Sequence, residues 1–230
     1  MKTLAIITAR GGSKRIPRKN IRPFCGRPII GYSIEAAVNS GVFDTVMVST
    51  DDAEIGEIAK QFGAELPFMR SEATASDHAT TSEVLLEVLD RYEQAGEHFD
   101  IACCLYPTSP FITPGRLREA FTLLSSSDAD TLIPVVPFSY PPQRAYVVEN
   151  GRLVFKHPEF INARTQDMEK LYHDAGQFYL FRTEAFKRTA NINSGNILPL
   201  ELDDMEVQDI DTETDWHLAE LKYRLQKENN

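Results

Sequence analysis

Short apolar segments alternate with helical patterns along most of the chain, and this alternation constrains the fold more than any other feature. Strands are predicted over 3–9, 45–50, 64–69, 101–106, 132–137 and 176–182. Helices are predicted from Pro28 to a stop at Gly41, and over 52–62, 80–95, 114–125 and 212–226. Strands and helices at this spacing form a mainly parallel sheet that helices cover on both faces. We therefore expect a doubly wound α/β fold whose ligands bind at the carboxyl ends of the strands.

The pattern changes after Phe138. Two short apolar runs, 145–148 and 153–156, flank Glu149-Asn150-Gly151, which is a hairpin signal, and a less regular stretch runs to Asp174. We interpret residues 138–175, approximately, as an arm inserted into a single domain that spans 1–230.

The charge distribution separates the start of the chain from the rest. The formal net charge is −10, which disfavours general nucleic-acid binding, yet residues 1–34 hold eight basic side chains and no acidic one. No apolar run approaches the roughly 18 residues of a membrane span. The three cysteines show no C-x-x-C spacing, which favours free thiols in a reducing compartment. We expect a cytoplasmic protein that binds an anion near its N-terminus.

The basic segment contains a loop suited to phosphate. Residues 10–20 read R-G-G-S-K-R-I-P-R-K-N, which matches neither the P-loop nor the dinucleotide-binding pattern. Gly11 and Gly12 allow backbone N–H groups to approach a triphosphate closely, while Arg10 and Lys19 supply charge to its oxygens. The loop follows the first predicted strand, so Arg10 is expected at the ligand-binding edge of the sheet.

An acidic motif lies near the end of the chain. In V-Q-D-I-D-T, Asp209 and Asp211 are two residues apart, so in an extended segment both carboxylates face one side and Ile210 faces the core. Paired carboxylates suit Mg²⁺, which bridges substrate phosphates in nucleotidyl transfer. A pair of this kind also caps helices, and Asp211 beside Thr212 is placed to do so.

Five blocks, in order along the chain, resemble the sugar-acid cytidylyltransferases, the family of the CMP-sialic acid synthetases. They are A-R-G-G-S-K-R-I-P-R-K-N at 9–20, V-S-T-D at 48–51, Arg70 with A-S-D at 75–77, P-T-S-P at 107–110 and D-I-D-T at 209–212. The resemblance implies a Rossmann-like fold similar to that of nucleotide-diphospho-sugar transferases, and a reaction that joins CMP from CTP to a sugar acid.

The resemblance also implies roles for individual residues. Arg10 and Lys19 would contact the nucleotide phosphates and act in catalysis with Asp209 and Asp211, the expected Mg²⁺ ligands. The remaining nucleotide-binding residues implied are Gly11, Gly12, Ser13, Asn20, Arg70, Asp77 and Thr81.

Other segments suggest the sugar. Sialic acid enzymes of this family usually carry Gln before P-T-S-P, where this chain has Tyr106, and Y-H-D-A-G-Q-F-Y at 172–179 resembles the enzymes that act on pseudaminic acid. Pseudaminic acid, a nine-carbon sugar acid, is therefore the expected acceptor. The predicted sugar-binding residues are Tyr106, Thr108, Ser109, Gln143, Arg144, Arg164, His173, Gln177 and Tyr179.

Alternatives remain open at this point. Legionaminic acid, N-acetylneuraminic acid or a keto-octulosonic acid could replace pseudaminic acid, and a protein of this fold could bind a nucleotide or sugar without catalysis. An RNA-binding role is disfavoured by the net charge and by the lack of aromatic residues over 10–20. In relatives the inserted arm exchanges between subunits, so a homodimer is expected, with Arg164 as the candidate to enter the neighbouring pocket.

Overall fold

A computed structural model describes residues 1–76 and 78–228 of the 230-residue chain. Its strands are β1 (Thr3–Thr8), β2 (Pro23–Phe24), β3 (Arg27–Pro28), β4 (Thr45–Ser49), β5 (Ile101–Leu105), β6 (Thr131–Pro137), β7 (Tyr146–Glu149), β8 (Arg152–Phe155), β9 (Tyr172–Asp174), β10 (Phe178–Arg182) and β11 (Ile197–Glu201). Its helices are α1 (Ile30–Ser40), α2 (Ala53–Gln61), α3 (Glu72–Ala75), α4 (Thr81–Gln94), α5 (Pro114–Ser125), α6 (Thr183–Thr189) and α7 (Glu213–Glu228). Short 3₁₀ turns lie at Lys19–Ile21, Pro142–Arg144, Pro158–Phe160, Thr165–Asp167 and Asp204–Glu206.

Within the described residues, seven strands form one sheet in the order β11-β6-β10-β5-β1-β4, and β9 pairs with β6 beside this path. β1 runs parallel to β4 and β5, and β11 runs parallel to β6. β10 is antiparallel to both of its neighbours, β5 and β6. The expected mainly parallel α/β sheet is therefore confirmed, with β10 reversed near its centre.

Alternating side chains of β1 show that both faces of the sheet are buried. Ala5 and Ile7 belong to one hydrophobic cluster and Leu4 and Ile6 to another, and all four are fully buried. A strand buried on both faces reads as a continuous apolar run, which is how β1 appears in the sequence. Within the described residues, no helix is long and apolar enough to cross a lipid bilayer.

The helices begin and end largely where the sequence predicts. Asp52 caps α2 by accepting from the N–H groups of Glu54 and Ile55, and Thr80 forms a capping box with Glu83 at the start of α4. α1 ends at Gly41, which has a φ of 67°. The predicted position of Pro28 is wrong, because it lies in β3 and α1 begins two residues later.

The strand predicted over 64–69 is also wrong. Glu65 forms a single parallel bridge with Met47, and Arg70 N–H donates to the Thr50 carbonyl at 2.8 Å. Pro67 lies between these two contacts and has no N–H to donate, so the ladder stops there. The segment still follows β4 and carries Arg70 to the carboxyl edge of the sheet.

Residues 138–171 leave the large sheet. β7 and β8 form a separate antiparallel hairpin, and Asn150 and Gly151 connect them with φ values of 49° and 75°. Two residues with positive φ form the turn that matches the twist of a hairpin. β9 then returns the chain to β6, where Asp174 lies opposite Val135.

Candidate active site

The loop that follows β1 is anchored from below. Ile16 is fully buried in a cluster that also contains Phe24, Trp216 and Ile210. The Asn20 amide donates to the Arg10 carbonyl at 2.8 Å and closes the loop. Arg18, whose φ is 54°, pairs with Asp52 at the start of α2. This burial and hydrogen bonding hold the loop in one conformation above the sheet edge.

The two glycines of the loop have different surroundings. The Gly11 N–H donates to the Asp51 carboxylate at 3.1 Å, and a Cβ on Gly11 would lie 2.7 Å from Asp52 Oδ2. A Cβ on Gly12 would meet no atom within 4 Å. Close packing against the residues after β4 therefore explains Gly11, whereas Gly12 faces open space.

Asp209 and Asp211 both line the cavity beside this loop, and they face one side of their segment, as the alternation of side chains predicts. Ile210 between them is 1% exposed and belongs to the same cluster as Ile16. Asp211 pairs with Arg15 at 2.9 Å and with Lys19 at 3.6 Å, and Lys19 also donates to the Ile210 carbonyl at 2.7 Å. Opposite ends of the chain thus converge on one site.

The loop and the two aspartates together line a cavity of about 640 Å³. The predicted residues that line it are Arg10, Ser13, Lys19, Asn20, Arg70, Thr81, Tyr106, Thr108, Asp209 and Asp211. Its lining combines basic side chains, of which Arg10, Lys14, Arg15 and Lys19 belong to the loop, with apolar side chains such as Val84.

Arg70 is a buried cation in this cavity. Its guanidinium donates from Nε to Ser49 Oγ at 3.0 Å and from a terminal nitrogen to the Ser49 carbonyl at 2.6 Å. Burial lowers the pKa of Arg70 below its ordinary value, although an arginine remains charged at neutral pH. A buried positive charge bonded to neutral oxygens is well placed to attract an anion.

A second cavity of about 380 Å³ adjoins the first and shares Tyr106, Thr108 and Asp209 with it. His173 and Asp174, at the end of β9, also line it. The Asp174 carboxylate accepts from the Gly176 N–H at 2.8 Å and from the Tyr179 hydroxyl at 2.7 Å. The two cavities could hold two substrates that meet near Asp209.

Tyr106 lies at the junction of the cavities. Its ring is 5.6 Å from that of Tyr179, centroid to centroid, in an edge-to-face arrangement. Burial raises the pKa of Tyr106, while hydrogen bonds with the Thr81 and Tyr179 hydroxyls act in the opposite direction. Burial likewise raises the pKa of Tyr179. Both phenols are therefore neutral at physiological pH and serve as hydrogen-bonding groups.

Several predicted sugar-binding residues do not line either cavity. Arg144 donates to the Ala163 carbonyl at 2.6 Å, and Arg164 pairs with Asp167 at 2.7 Å; both arginines lie in the arm. Gln143 is buried there and donates to the Glu169 carbonyl at 2.9 Å.

Three other predicted sugar-binding residues, Ser109, Gln177 and Tyr179, also do not line either cavity. Ser109 is 4% exposed, Tyr179 reaches the second cavity through Asp174, and the Gln177 side chain donates to the Glu206 carbonyl at 2.6 Å. Gly11 and Gly12 support the loop and are not among the residues that line the first cavity. Asp77 lies outside the described residues.

Some lining residues were not predicted. Lys14 and Arg15 belong to the basic loop, whose composition could have identified them, and Thr74 and Ser76 follow Arg70 closely along the chain. Lys222, on α7, lines the second cavity, and no local pattern in the sequence distinguishes it from other lysines of that helix.

Among the residues that line the first cavity, Asp209 and Asp211 carry the carboxylates that a divalent cation would use. Among the described residues, no cluster of three or more histidine, cysteine, aspartate or glutamate side chains could hold a metal alone. The Asp209 carboxylate, however, has no hydrogen bond or ion pair with a described residue, and Asp211 is held by Arg15 and Lys19. Mg²⁺ usually takes one or two carboxylates and completes its coordination with water and substrate phosphates. Two aspartates beside a cationic cavity fit that requirement.

A cavity with these charges, at the carboxyl edge of a mainly parallel sheet, defines a nucleotide-binding α/β protein. The comparisons specify the class further: a family model described as Cytidylyltransferase matches residues 4–221, and the chain belongs to this family. It is therefore a nucleotidyltransferase.

Two relatives and one solved structure show how similar the chain is to known proteins. It is 40% identical over 234 residues to the pseudaminic acid cytidylyltransferase of Campylobacter jejuni subsp. jejuni serotype O:2, covering 100% of this chain and 99% of that one. It is 34% identical over 236 residues to the CMP-N,N'-diacetyllegionaminic acid synthase of Legionella pneumophila, covering 99% of each. A CMP:2-keto-3-deoxy-manno-octonic acid synthetase complexed with CTP matches with a TM-score of 0.71 at 20% identity, over 99% of this chain and 100% of that one, and shares the fold.

Proposed function

We propose that this chain transfers CMP from CTP to the anomeric hydroxyl of pseudaminic acid and releases pyrophosphate. One observation carries the proposal: a cation-lined cavity and a second polar cavity meet at Asp209. The first suits the triphosphate of CTP, and the second suits a hydroxylated acceptor. The full-length identity of 40% to a pseudaminic acid enzyme, against 34% to a legionaminic acid enzyme, favours pseudaminic acid as the acceptor.

In the proposed reaction, the anomeric oxygen forms a bond with the α-phosphorus, its proton passes to water, and the bond from that phosphorus to the bridging oxygen breaks, so that pyrophosphate leaves. Arg10 and Lys19 bind the triphosphate and disperse the charge that grows on its oxygens. Thr81, which lines the same cavity, is the proposed contact of the cytosine. Because both substrates are held at one junction, the reacting atoms need little further ordering.

Asp209 and Asp211 are the proposed Mg²⁺ ligands. The cation would neutralise triphosphate charge. For Asp211 to take this role, the exposed Arg15 must turn away from it, whereas Lys19 keeps its bond to the Ile210 carbonyl. Asp211→Asn should retain the fold and lose nearly all pyrophosphate release. Glu213→Gln is the matched control, because Glu213 pairs with Arg22 and does not line the cavity, so its activity should stay within about twofold. Near-normal turnover of Asp211→Asn would remove the metal role.

The acceptor is tested by pyrophosphate release from CTP and Mg²⁺ with pseudaminic, legionaminic or N-acetylneuraminic acid. We expect the largest kcat/KM with pseudaminic acid. A larger value with another acid would refute the choice of sugar and keep the transferase. CTP binding without turnover on any of the acids would instead support a non-catalytic binding protein.

We also propose that the arm forms a homodimer. Tyr146, Val148, Leu153 and Phe155 share one face of the β7–β8 hairpin, and the first three are 52%, 72% and 70% exposed. An apolar face of this kind usually marks an interaction site. Replacing Val148 and Leu153 with Glu should yield a monomer in light scattering, whereas Glu149→Gln, on the opposite face, should remain a dimer.

We assign Arg164, whose side chain is 72% exposed, to the sugar-binding pocket of the neighbouring subunit. Arg164→Ala should therefore weaken sugar binding without affecting the dimer.

The reaction is proposed to occur in the cytoplasm. The three cysteines are free, and Cys103 and Cys104 are buried in β5. Burial raises the pKa of both thiols, so they remain protonated and need no oxidising compartment.

A further inference from the structure

The 3₁₀ turn that precedes the two aspartates is held unusually firmly. Asp203 and Glu206 form a capping box across it. The Glu206 carboxylate also accepts two hydrogen bonds from the Arg116 guanidinium, at 2.8 and 2.6 Å, and these hold the pKa of Glu206 below its ordinary value despite burial. α5 is thereby joined to a turn that lies 90 residues further along the chain.

α7 holds the same turn from another direction. The Lys222 ammonium donates to the carbonyl of Asp204 at 3.1 Å and to that of Val207 at 3.0 Å. One turn later on the helix, the Gln226 amide donates to the Met205 carbonyl at 2.8 Å. Main-chain oxygens that would otherwise face water thus receive side-chain donors.

Gln177 supplies the remaining donor. Its side chain is 3% exposed and donates to the Glu206 carbonyl at 2.6 Å, while its own carbonyl accepts from the Tyr106 N–H at 2.9 Å. Gln177 therefore joins the carboxyl end of β5 to the turn. Each carbonyl from 204 to 207 consequently accepts a bond from a side chain of α7 or of the segment before β10.

The position of this turn explains why it is held so firmly. Asp209 lies two residues after Val207, lines both cavities, and its carboxylate is held by no described side chain. Its location consequently depends on the backbone on either side, which is held by the buried Ile210 and by the 204–207 turn. Lys222 has no ion pair with a described residue, so its charge serves the two carbonyl oxygens.

We propose that Lys222 and Gln177 are positioning residues that hold the 204–207 turn and thereby set Asp209 at the junction of the cavities for the metal–nucleotide complex. This inference rests on the proposed function, since it assumes that Asp209 is a metal ligand. It also gives Gln177 a different role from sugar binding. Groups that orient a metal ligand commonly change metal affinity by 10- to 100-fold when they are lost.

The test uses Lys222→Met and Gln177→Met, which keep a flexible side chain of similar length and remove its donor. Mn²⁺ binding to the full chain with a non-hydrolysable CTP analogue is followed by electron paramagnetic resonance, and the KM for the sugar is measured at saturating Mg²⁺. We expect the Mn²⁺ dissociation constant to rise about tenfold, with the sugar KM unchanged. Lys222→Arg should recover most of the affinity.

Lys227→Met is the matched control, because Lys227 lies on the same helix over the Tyr223 ring and contributes nothing to the turn. Its Mn²⁺ affinity should equal that of the wild type.

A raised sugar KM with unchanged Mn²⁺ affinity in the Lys222 and Gln177 variants would overturn the inference and make these two side chains sugar contacts. Unchanged Mn²⁺ affinity and unchanged KM would also overturn it. If the Met variants fail to fold, Gln226→Met, which removes the donor to the Met205 carbonyl of the same turn, decides by the same measurements. Failure of the wild type itself to bind Mn²⁺ with nucleotide would refute the metal assignment in the proposed function.

Discussion

Replacing Gly11 with alanine should lower the free energy of unfolding, whereas replacing Gly12 with alanine should raise it. A Cβ at position 11 would lie 2.7 Å from Asp52 Oδ2, and ordinary contact begins near 3.4 Å, so the loop or Asp52 must move by about 0.7 Å. Asp52 is poorly able to move, because it caps α2 and binds Arg18. At position 12 the new methyl group would meet nothing, and Gly12 is not among the glycines with positive φ.

The magnitudes follow from the groups affected. Loss of the cap at Asp52 costs about 1 kcal/mol, and disruption of its pair with the half-exposed Arg18 adds at most about 1 kcal/mol. Alanine restricts the unfolded chain and recovers about 0.4–1 kcal/mol at a compatible position. Gly11→Ala should therefore lower the free energy of unfolding by about 1 kcal/mol and the Tm by about 2–4 °C. Gly12→Ala should raise that free energy by about 0.4–1 kcal/mol.

The assay pairs thermal unfolding with CTP binding by calorimetry. We expect Gly11→Ala to weaken CTP binding because the loop that carries Arg10 moves, and Gly12→Ala to bind CTP as the wild type does because Gly12 does not line the first cavity. Weakened CTP binding by Gly11→Ala alone would show that binding depends on the position of the loop. Equal stability of Gly11→Ala and Gly12→Ala would refute the steric reasoning.

Two further predictions concern parts of the chain that support the site. The Glu87 carboxylate is partly buried, which opposes ionisation, but hydrogen bonds from Thr74 and Ser71 outweigh burial and hold the pKa of Glu87 below its ordinary value. A depressed pKa gives stability that is present above the unfolded value, about 4.3, and lost as pH falls through the folded one. The Tm of the wild type should therefore fall more steeply than that of Glu87→Gln between about pH 5 and 3, and parallel curves would contradict this. Trp216→Ala should cost about 3–5 kcal/mol in urea unfolding and reduce CTP binding, because the 2%-exposed indole supports Ile210; a loss below about 1 kcal/mol would contradict this packing role.

Much of the sheet could be predicted because its strands are short apolar runs with clear stops. β11 was not predicted because Pro199 interrupts its apolar pattern, and a proline is tolerated there because β11 is the edge strand. β9 was missed because its three residues are all exposed and carry no buried face. These elements depend on contacts with β6 that local sequence does not contain.

The candidate site, too, has features that local sequence predicts and features that depend on tertiary contacts. The pairing of Asp209 and Asp211 on one side of Ile210 follows from the alternation of an extended chain, which a sequence shows directly. The partner of Gln177 could not be inferred, because a polar side chain before a strand can face a ligand or a neighbouring turn. Only the tertiary structure shows that the turn at 204–207 lies within its reach.

The reversal of β10 has an evolutionary consequence. β6 ends at the edge of the sheet that carries the site, and β10, running the other way, begins at that edge. The polypeptide between them therefore leaves the sheet and returns to it at neighbouring points. This segment, residues 138–177, can lengthen, shorten or change its side chains while β1, β4 and β5 keep their register. The acceptor preference and subunit pairing proposed for this segment can therefore diverge while the loop after β1 is retained.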